Sequence, residues 1–230
     1  MFQFDYYSLC DSPSRLIIFL HGYNDCPQNH RKYLEYLMQK SPNSCIIAPK
    51  SNKTCDKNPH QNQWFGMLSN DPDNKRISPD TPVSQIFDIY QRAEKDIDDC
   101  ASKINKFINT LQQKYHIDNN HTYLIGFSQG AMLALYTALS RTATLAGVFS
   151  LSGLIAGKDK LAKKISSTPK TYIFHGKKDN IVQYKTLPST IEWLKKHGIT
   201  PQIFTYDELS HRLSENEFNE ISKIINTASL

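Results

Sequence analysis

The sequence lacks the long apolar run that a membrane-spanning segment requires. No stretch of its 230 residues approaches the roughly 20 consecutive apolar residues that cross a bilayer. Residues 1–7 also lack the basic start and the apolar middle of a signal peptide. We therefore expect a cytoplasmic protein without a membrane span.

The cysteines are too few and too scattered to form a framework. There are five, an odd number, and no two of them form a Cys-x-x-Cys pair. Disulfide frameworks use an even number of cysteines at regular spacing, and structural zinc sites use closely spaced pairs. The sequence therefore predicts neither a disulfide-stabilised fold nor a metal site.

Positive charge is not concentrated in any one segment. The net charge is +5, and the lysines are spread along the chain, with loose clusters at 158–164 and 195–196. A nucleic-acid groove needs basic residues on one face, whereas loose clusters are typical of solvated surfaces. We therefore expect no nucleic-acid partner.

Strand-like and helix-like segments alternate along the chain. Short, almost entirely apolar runs predict buried strands at 16–20, 44–49, 123–125, 146–151, 171–175 and 202–206. Helix-forming segments stand at 29–39, 86–114, 129–140, 187–197 and 215–226. The alternation predicts the α/β class, with one domain over residues 1–230, a mainly parallel central sheet and helices on both faces.

A polar segment at 50–84 interrupts this alternation. It contains four prolines and an isolated apolar group at 64–68. A loop of this length in a compact domain is usually functional or disordered. We interpret it as a cover over a pocket, with Trp64 and Phe65 as substrate-binding residues; the alternative is that these aromatic side chains anchor the loop to the core.

The most informative motif is Gly-Phe-Ser-Gln-Gly at 126–130. A short apolar run precedes it and a long helix-forming segment follows, which is the strand–turn–helix context of a nucleophile elbow. Such a turn needs small residues two positions before and after the serine, and it lifts the hydroxyl clear of the sheet. We predict that Ser128 is a nucleophile; the alternative is a plain turn between a strand and a helix.

Two further residues stand where the partners of a serine nucleophile are expected. A serine hydroxyl needs a base to remove its proton, and the base needs an acid to orient it. In α/β-hydrolases the order along the chain is serine, acid, histidine, each on a loop after a strand. Asp179 follows the predicted strand 171–175, and His211 follows the predicted strand 202–206. We predict that Asp179 is the acid, rather than only a turn or cap residue, and that His211 is the base.

Three residues are rivals for these roles. Asp159 is the nearest alternative acid, but it lies in a lysine-rich stretch that we expect to be exposed. His197 stands at the end of a predicted helix, where histidine commonly serves as a cap. Cys26 could act as a nucleophile, but no elbow surrounds it.

The loop after the first central strand, at 20–25, is predicted to complete the site. Its glycine allows the backbone to approach a substrate closely, so the N–H groups of Tyr23 and Gln129 would stabilise a developing oxyanion. His21 and His175 each precede a glycine at a strand end. We expect both to pack or hydrogen-bond near the site without a catalytic role.

Motifs along nearly the whole chain resemble those of the phospholipase/carboxylesterase family, which includes acyl-protein thioesterases and small bacterial carboxylesterases. They are LHGYND at 20–25, WF at 64–65, GFSQGA at 126–131, LSG at 151–153, HGKKD at 175–179 and SH at 210–211. The resemblance implies an α/β-hydrolase fold without a large cap domain, and a serine–aspartate–histidine triad that needs no cofactor. One departure is Asn24, which stands where the family usually has glycine.

The same resemblance implies a reaction. Family substrates are carboxylic esters, lysophospholipids and S-acyl thioesters, including those of acylated proteins. It further implies a monomer or weak homodimer that contacts lipid surfaces at most transiently. Two alternatives stay open: amide hydrolysis or acyl transfer by the same triad, and a catalytically silent α/β-hydrolase fold that serves only as a binding module.

Overall fold

The computed structural model describes residues 2–67 and 77–227. Its strands are β1 (Gln3–Tyr7), β2 (Arg15–Leu20), β3 (Ser44–Lys50), β4 (Lys53–Thr54), β5 (Asn62–Gln63), β6 (Thr122–Phe127), β7 (Gly147–Leu151), β8 (Thr171–Gly176) and β9 (Gln202–Tyr206). Its α-helices are α1 (Arg31–Lys40), α2 (Val83–Gln91), α3 (Glu94–Tyr115), α4 (Gln129–Ser140), α5 (Lys158–Ala162), α6 (Leu187–Lys196) and α7 (Glu215–Thr227). None of the helices in these two ranges is long and apolar enough to span a membrane.

Within the described residues, seven strands form the central sheet in the order β1-β3-β2-β6-β7-β8-β9. Every neighbouring pair is parallel except β1 and β3, which are antiparallel. Strands β6, β7 and β8 are buried along their whole length, which explains their continuous apolar sequences. The predicted α/β-hydrolase architecture, with a mainly parallel sheet, is confirmed.

Helices cover both faces of this sheet. Successive side chains of a strand point to opposite faces, and β2 shows the consequence. Ile17 and Phe19 belong to a core with residues of α1 and α7, whereas Leu16, Ile18 and Leu20 belong to a core with residues of α3 and α4. Because the central strands are parallel, their carboxyl ends meet at one edge of the sheet, where the loops that follow β2, β6, β8 and β9 come together.

Several elements differ from the sequence-based expectation, including the two-residue strands β4 and β5 within the predicted loop 50–84. Strand β1 was not predicted, because an edge strand with a mixed exposed and half-buried pattern has no continuous apolar run. The predicted helix 86–114 is two helices, α2 and α3, which break at Arg92 and Ala93. Periodicity could not reveal the break, since no glycine or proline marks it and Ala93 is itself buried. The short helix α5 was also missed, because its lysine-rich sequence has a single buried residue.

Candidate active site

The turn between β6 and α4 has the strained geometry of a nucleophile elbow. Ser128 has φ 55° and ψ −117°, a backbone conformation that is rare for residues other than glycine. Its N–H donates to the Leu151 carbonyl of the neighbouring strand at 2.9 Å. Its own carbonyl accepts two N–H groups from the first turn of α4, those of Ala131 and Met132, at 3.0 and 3.1 Å. The strain is thus held by the sheet on one side and the helix on the other.

The two glycines of the motif are required by close backbone contacts. A Cβ atom on Gly126 would lie 2.2 Å from the Gly130 carbonyl oxygen. A Cβ atom on Gly130 would lie 2.2 Å from the carbonyl oxygen of Leu20, at the end of β2. Both neighbours are backbone atoms that cannot rotate away. The motif therefore fits the first turn of α4 directly against the adjacent strand.

The structure brings the three predicted triad residues into one hydrogen-bonded chain. The Ser128 hydroxyl lies 2.9 Å from Nε2 of His211, and Nδ1 of His211 lies 2.8 Å from Oδ2 of Asp179. A carboxylate only accepts hydrogen bonds, so Nδ1 carries the proton and Nε2 can accept the serine proton. The three residues are separated by 51 and 32 positions in the sequence and meet where parallel strands end.

Asp179 serves as both a turn residue and a partner of the histidine. Its Oδ1 accepts the N–H groups of Ile181 and Val182, both at 3.0 Å, while Oδ2 faces His211. Burial alone would raise the pKa of Asp179, but hydrogen bonds from His175 and His211 outweigh it and lower that pKa to about 2. The carboxylate is therefore charged throughout the neutral pH range.

His175 lies behind the triad, as its position before a glycine suggested. Its ring is fully buried, and Nε2 is 2.8 Å from the Val182 carbonyl and 3.5 Å from Oδ2 of Asp179. Since the carbonyl accepts, Nε2 carries the proton. His175 thereby holds the acid loop from beneath.

The predicted oxyanion loop lies directly beside Ser128. A Cβ atom on Gly22 would be 3.6 Å from the Cβ of Ser128. Asn24 has φ 56°, a left-handed conformation that asparagine tolerates better than most residues, which explains how it replaces the usual glycine. Neither the Tyr23 N–H nor the Gln129 N–H has an acceptor among residues 2–67 and 77–227. No described residue therefore competes for either donor.

The side chain of Gln129 has a role that the motif did not reveal. Its Oε1 accepts the Trp64 N–H and its Nε2 donates to the Phe65 carbonyl, both at 2.8 Å. These bonds attach segment 64–65 to the first turn of α4. The only signal in the sequence was the amide side chain beside the nucleophile, with no indication of its partner.

Trp64 and Phe65 lie in the core, with 3% and 0% of their surface exposed. The indole Nε1–H donates to the His21 carbonyl at 2.8 Å. This burial corresponds to the alternative in which the aromatics anchor the loop, and it does not fit rings that cover a pocket from outside. Leu68, the last residue of the predicted apolar group, lies outside the described residues, and direct substrate contact by either ring stays a prediction.

The rival residues lie in other surroundings. Asp159 is exposed on α5. His197 ends α6, where its Nδ1 is 2.8 Å from the Trp193 carbonyl and its ring packs on the Trp193 indole. Cys26 is half-buried before α1, with an N–H that donates to Asp25. In the described ranges, no three His, Cys, Asp or Glu side chains are grouped to hold a metal ion.

A second buried carboxyl group, Glu217, was not predicted. Its Oε2 accepts the N–H and hydroxyl of Ser214, which stands three residues after His211. Ser214 and Glu217 form a capping box at the start of α7. Burial raises the pKa of Glu217 to about 7, and the bonds from Ser214 oppose this only in part. The Ser-x-x-Glu spacing before an apolar helix was the sequence signal that could have identified it.

A model of the family described as phospholipase/carboxylesterase matches residues 8–229. The chain belongs to the phospholipase/carboxylesterase family. It is 25% identical over 221 residues to acyl-protein thioesterase 1 homolog 1 of Dictyostelium discoideum, covering 92% of this chain and 89% of that protein. It is also 25% identical to lysophospholipase-like protein 1 of Mus musculus, covering 93% and 87%.

Other relatives extend the comparison. A protein of Oryza sativa named a probable inactive carboxylesterase is 22% identical and covers 90% of this chain and 81% of its own length. The crystal structure of esterase PE8 superposes with a TM-score of 0.84 over 99% of both chains at 22% identity. The structural likeness supports the fold alone.

The elbow contacts predict a large cost for Gly126→Ala. The added methyl group must displace the backbone of α4, and we expect a loss of at least about 2 kcal/mol in the free energy of unfolding. Gly147→Ala is the control, since the nearest atom to a Cβ there would be 3.3 Å away, in the Tyr172 side chain, and the nearest backbone atom 3.4 Å away. Urea unfolding measures both, and equal losses would contradict the proposed reason for the motif.

The raised pKa of Glu217 predicts a pH-dependent stability difference. The protonated form is favoured in the fold, so this stabilisation is complete below the ordinary value of 4.5 and is lost as the pH rises through about 7. Glu217→Gln stays neutral and should gain up to about 3 kcal/mol relative to the original chain between pH 4.5 and pH 8. Urea unfolding across this range measures the difference, and a constant difference would refute the assignment.

Proposed function

We propose that the protein is a serine hydrolase that cleaves carboxylic esters or thioesters through an acyl-serine intermediate. The observation that carries the proposal is the chain of hydrogen bonds from Ser128 through His211 to Asp179, at 2.9 and 2.8 Å. Membership of the phospholipase/carboxylesterase family supports the same reaction class.

Each triad residue has a defined part in the proposed mechanism. His211 Nε2 removes the proton of Ser128 as the serine oxygen attacks the substrate carbonyl carbon. The tetrahedral intermediate collapses, and His211 donates the proton to the departing alcohol or thiol. A water molecule then attacks the acyl-serine, with His211 again as the base, and releases the acid. Asp179 keeps the proton on Nδ1 and stabilises the imidazolium.

Two backbone donors are proposed to stabilise the tetrahedral oxyanion. The Gln129 N–H lies at the start of α4, where the helix dipole favours negative charge. The second proposed donor is the Tyr23 N–H, next to Gly22 in the loop after β2. Removal of one such donor typically costs about 10²–10³ in kcat. The absence of an acceptor on either N–H among the described residues supports this role.

The proposed substrates are short-chain esters, lysophospholipids, or S-acyl groups on small molecules or proteins. The names of the Dictyostelium and mouse relatives, a thioesterase and a lysophospholipase-like protein, support this range. The alternative is a binding protein without catalytic activity. One similar protein, from rice, is named a probable inactive carboxylesterase. An intact triad with a charged acid and a strained nucleophile favours catalysis.

Ser128→Ala tests the proposal directly. Loss of the nucleophile should lower kcat for p-nitrophenyl butyrate at least about 10⁴-fold while the protein remains folded. Ser140→Ala is the matched control, because Ser140 ends the same helix and its hydroxyl donates to carbonyls of α4. Comparable turnover in Ser128→Ala and the original chain would exclude the mechanism.

The leaving group tests the alternative of amide hydrolysis. An amide nitrogen must be protonated more completely than an ester oxygen before it leaves, so we expect turnover of p-nitrophenyl butyrate and none of p-nitrobutyranilide. The release of p-nitrophenol or p-nitroaniline is followed by absorbance. Similar kcat/KM for both substrates would favour an amidase.

A further inference from the structure

We propose that His21 is a positioning residue for the oxyanion hole. Its imidazole holds the peptide between Gly22 and Tyr23 so that the Tyr23 N–H points to the substrate oxygen. This inference rests on the proposed function, in which that N–H is one of two oxyanion donors.

Both ring nitrogens of His21 are used in a site that water does not reach. The side chain is fully buried, Nδ1 lies 2.8 Å from the Gly22 carbonyl oxygen, and Nε2 lies 3.2 Å from the Ser51 nitrogen. The Ser51 N–H can only donate, so Nε2 is the acceptor and the proton resides on Nδ1. The Nδ1–H therefore donates to Gly22.

This arrangement requires the neutral ring. Protonation would place a second N–H of His21 against the N–H of Ser51, with no acceptor between them. Burial lowers the pKa of His21 to about 4, which agrees with a ring that is neutral at physiological pH. The neutral ring thus keeps both contacts, with Nδ1–H donating to Gly22 and Nε2 accepting from Ser51.

The bond to Gly22 determines the direction of the catalytic donor. The Gly22 carbonyl and the Tyr23 N–H belong to the same planar trans peptide, in which C=O and N–H point to opposite sides. A side chain that fixes the carbonyl on the interior side necessarily directs the N–H outward. The same carbonyl, left without a partner, would be a buried acceptor whose peptide could rotate.

The preceding peptide, between His21 and Gly22, is also held at both of its polar atoms. Its carbonyl, from His21, accepts the Trp64 indole N–H at 2.8 Å. Its N–H, from Gly22, donates to Oδ2 of Asp25 at 3.3 Å, and the same oxygen accepts Nε2–H of His30 at 2.5 Å. The Tyr23 N–H is therefore the donor of these two peptides that has no acceptor among the described residues.

The ring itself has little freedom to move. The Trp64 indole packs on it at a centroid distance of 4.7 Å and an interplanar angle of 31°. A residue needed only for packing could be apolar here, since the surrounding rings are apolar. Two paired nitrogens in a fully buried position indicate that hydrogen bonding, and not volume alone, selects histidine.

Two amide substitutions separate the roles of the two nitrogens. His21→Asn places an N–H₂ near the Nδ1 position and can still donate to Gly22, but it loses the acceptor for Ser51. His21→Gln reaches the Nε2 position and can accept from Ser51, but it loses the donor to Gly22. A structural role predicts equal or similar defects, whereas a positioning role predicts a defect in His21→Gln alone.

We expect His21→Asn to retain kcat for p-nitrophenyl butyrate within about 3-fold. His21→Gln should lose at least about 10-fold in kcat with KM unchanged, which is part of the loss that removal of a whole oxyanion donor causes. An alkyl trifluoromethyl ketone, which forms a tetrahedral oxyanion on Ser128, should bind more weakly to His21→Gln by the same factor. If His21→Gln does not fold, His21→Ser, which lacks both contacts, replaces it.

Equal kcat values in the two amide variants, or a loss that appears only in KM, would overturn the inference. The same holds if ketone affinity is unchanged while kcat falls, because the oxyanion hole would then be intact. Turnover by Ser128→Ala would instead reject the proposed function. If a fluorophosphonate labels the original chain but not Ser128→Ala, the proposed nucleophile is supported. If His21→Gln then keeps the kcat of the original chain, only the role of His21 is rejected.

Discussion

The site depends on the close approach of α4 to strand β2. Backbone atoms of the two elements lie so near each other that a Cβ on Gly130 would be 2.2 Å from the Leu20 carbonyl oxygen. This contact brings the first turn of α4, with the Gln129 N–H, beside the loop that carries the Tyr23 N–H. It also requires the positive φ of Ser128, since an ordinary turn would not deliver the helix so close to the strand. The strain is tolerated because the sheet and the buried helix leave the turn no alternative packing.

Two buried carboxyl groups near His211 illustrate how local donors decide protonation. Hydrogen bonds from His175 and His211 lower the pKa of Asp179 to about 2 despite its burial. Glu217 accepts from Ser214 through one oxygen, while its Oε1 has no partner among the described residues, so burial prevails and its pKa rises to about 7. The charged carboxylate of Asp179 faces His211, where it would stabilise an imidazolium in the proposed mechanism. Glu217, whose protonated form is favoured by burial, bonds to Ser214 at the start of α7.

The polar contacts around the nucleophile form a continuous support. Gln129 binds segment 64–65 through its side chain, and Trp64 in turn binds the His21 carbonyl. The oxyanion loop, the aromatic segment and the helix that follows Ser128 are therefore held together by buried hydrogen bonds. Loss of any one bond would leave an unpaired polar atom in the core, which is costly and favours a single arrangement.

Local patterns in the chain were sufficient for the α/β class, the elbow at Ser128, and the order in which Asp179 and His211 follow it. They were sufficient because buried parallel strands and a tight strand–helix turn restrict residue choice at short range. The break between α2 and α3, the burial of Trp64 and Phe65, and the hydrogen bonds of His21 and Gln129 depended on the tertiary structure. The bond of His21 to Ser51, the bonds of Gln129 to segment 64–65 and that of Trp64 to His21 join partners tens of residues apart, and the same side chains could serve equally well on a surface. Only the packed fold decides which distant backbone group a buried polar atom meets.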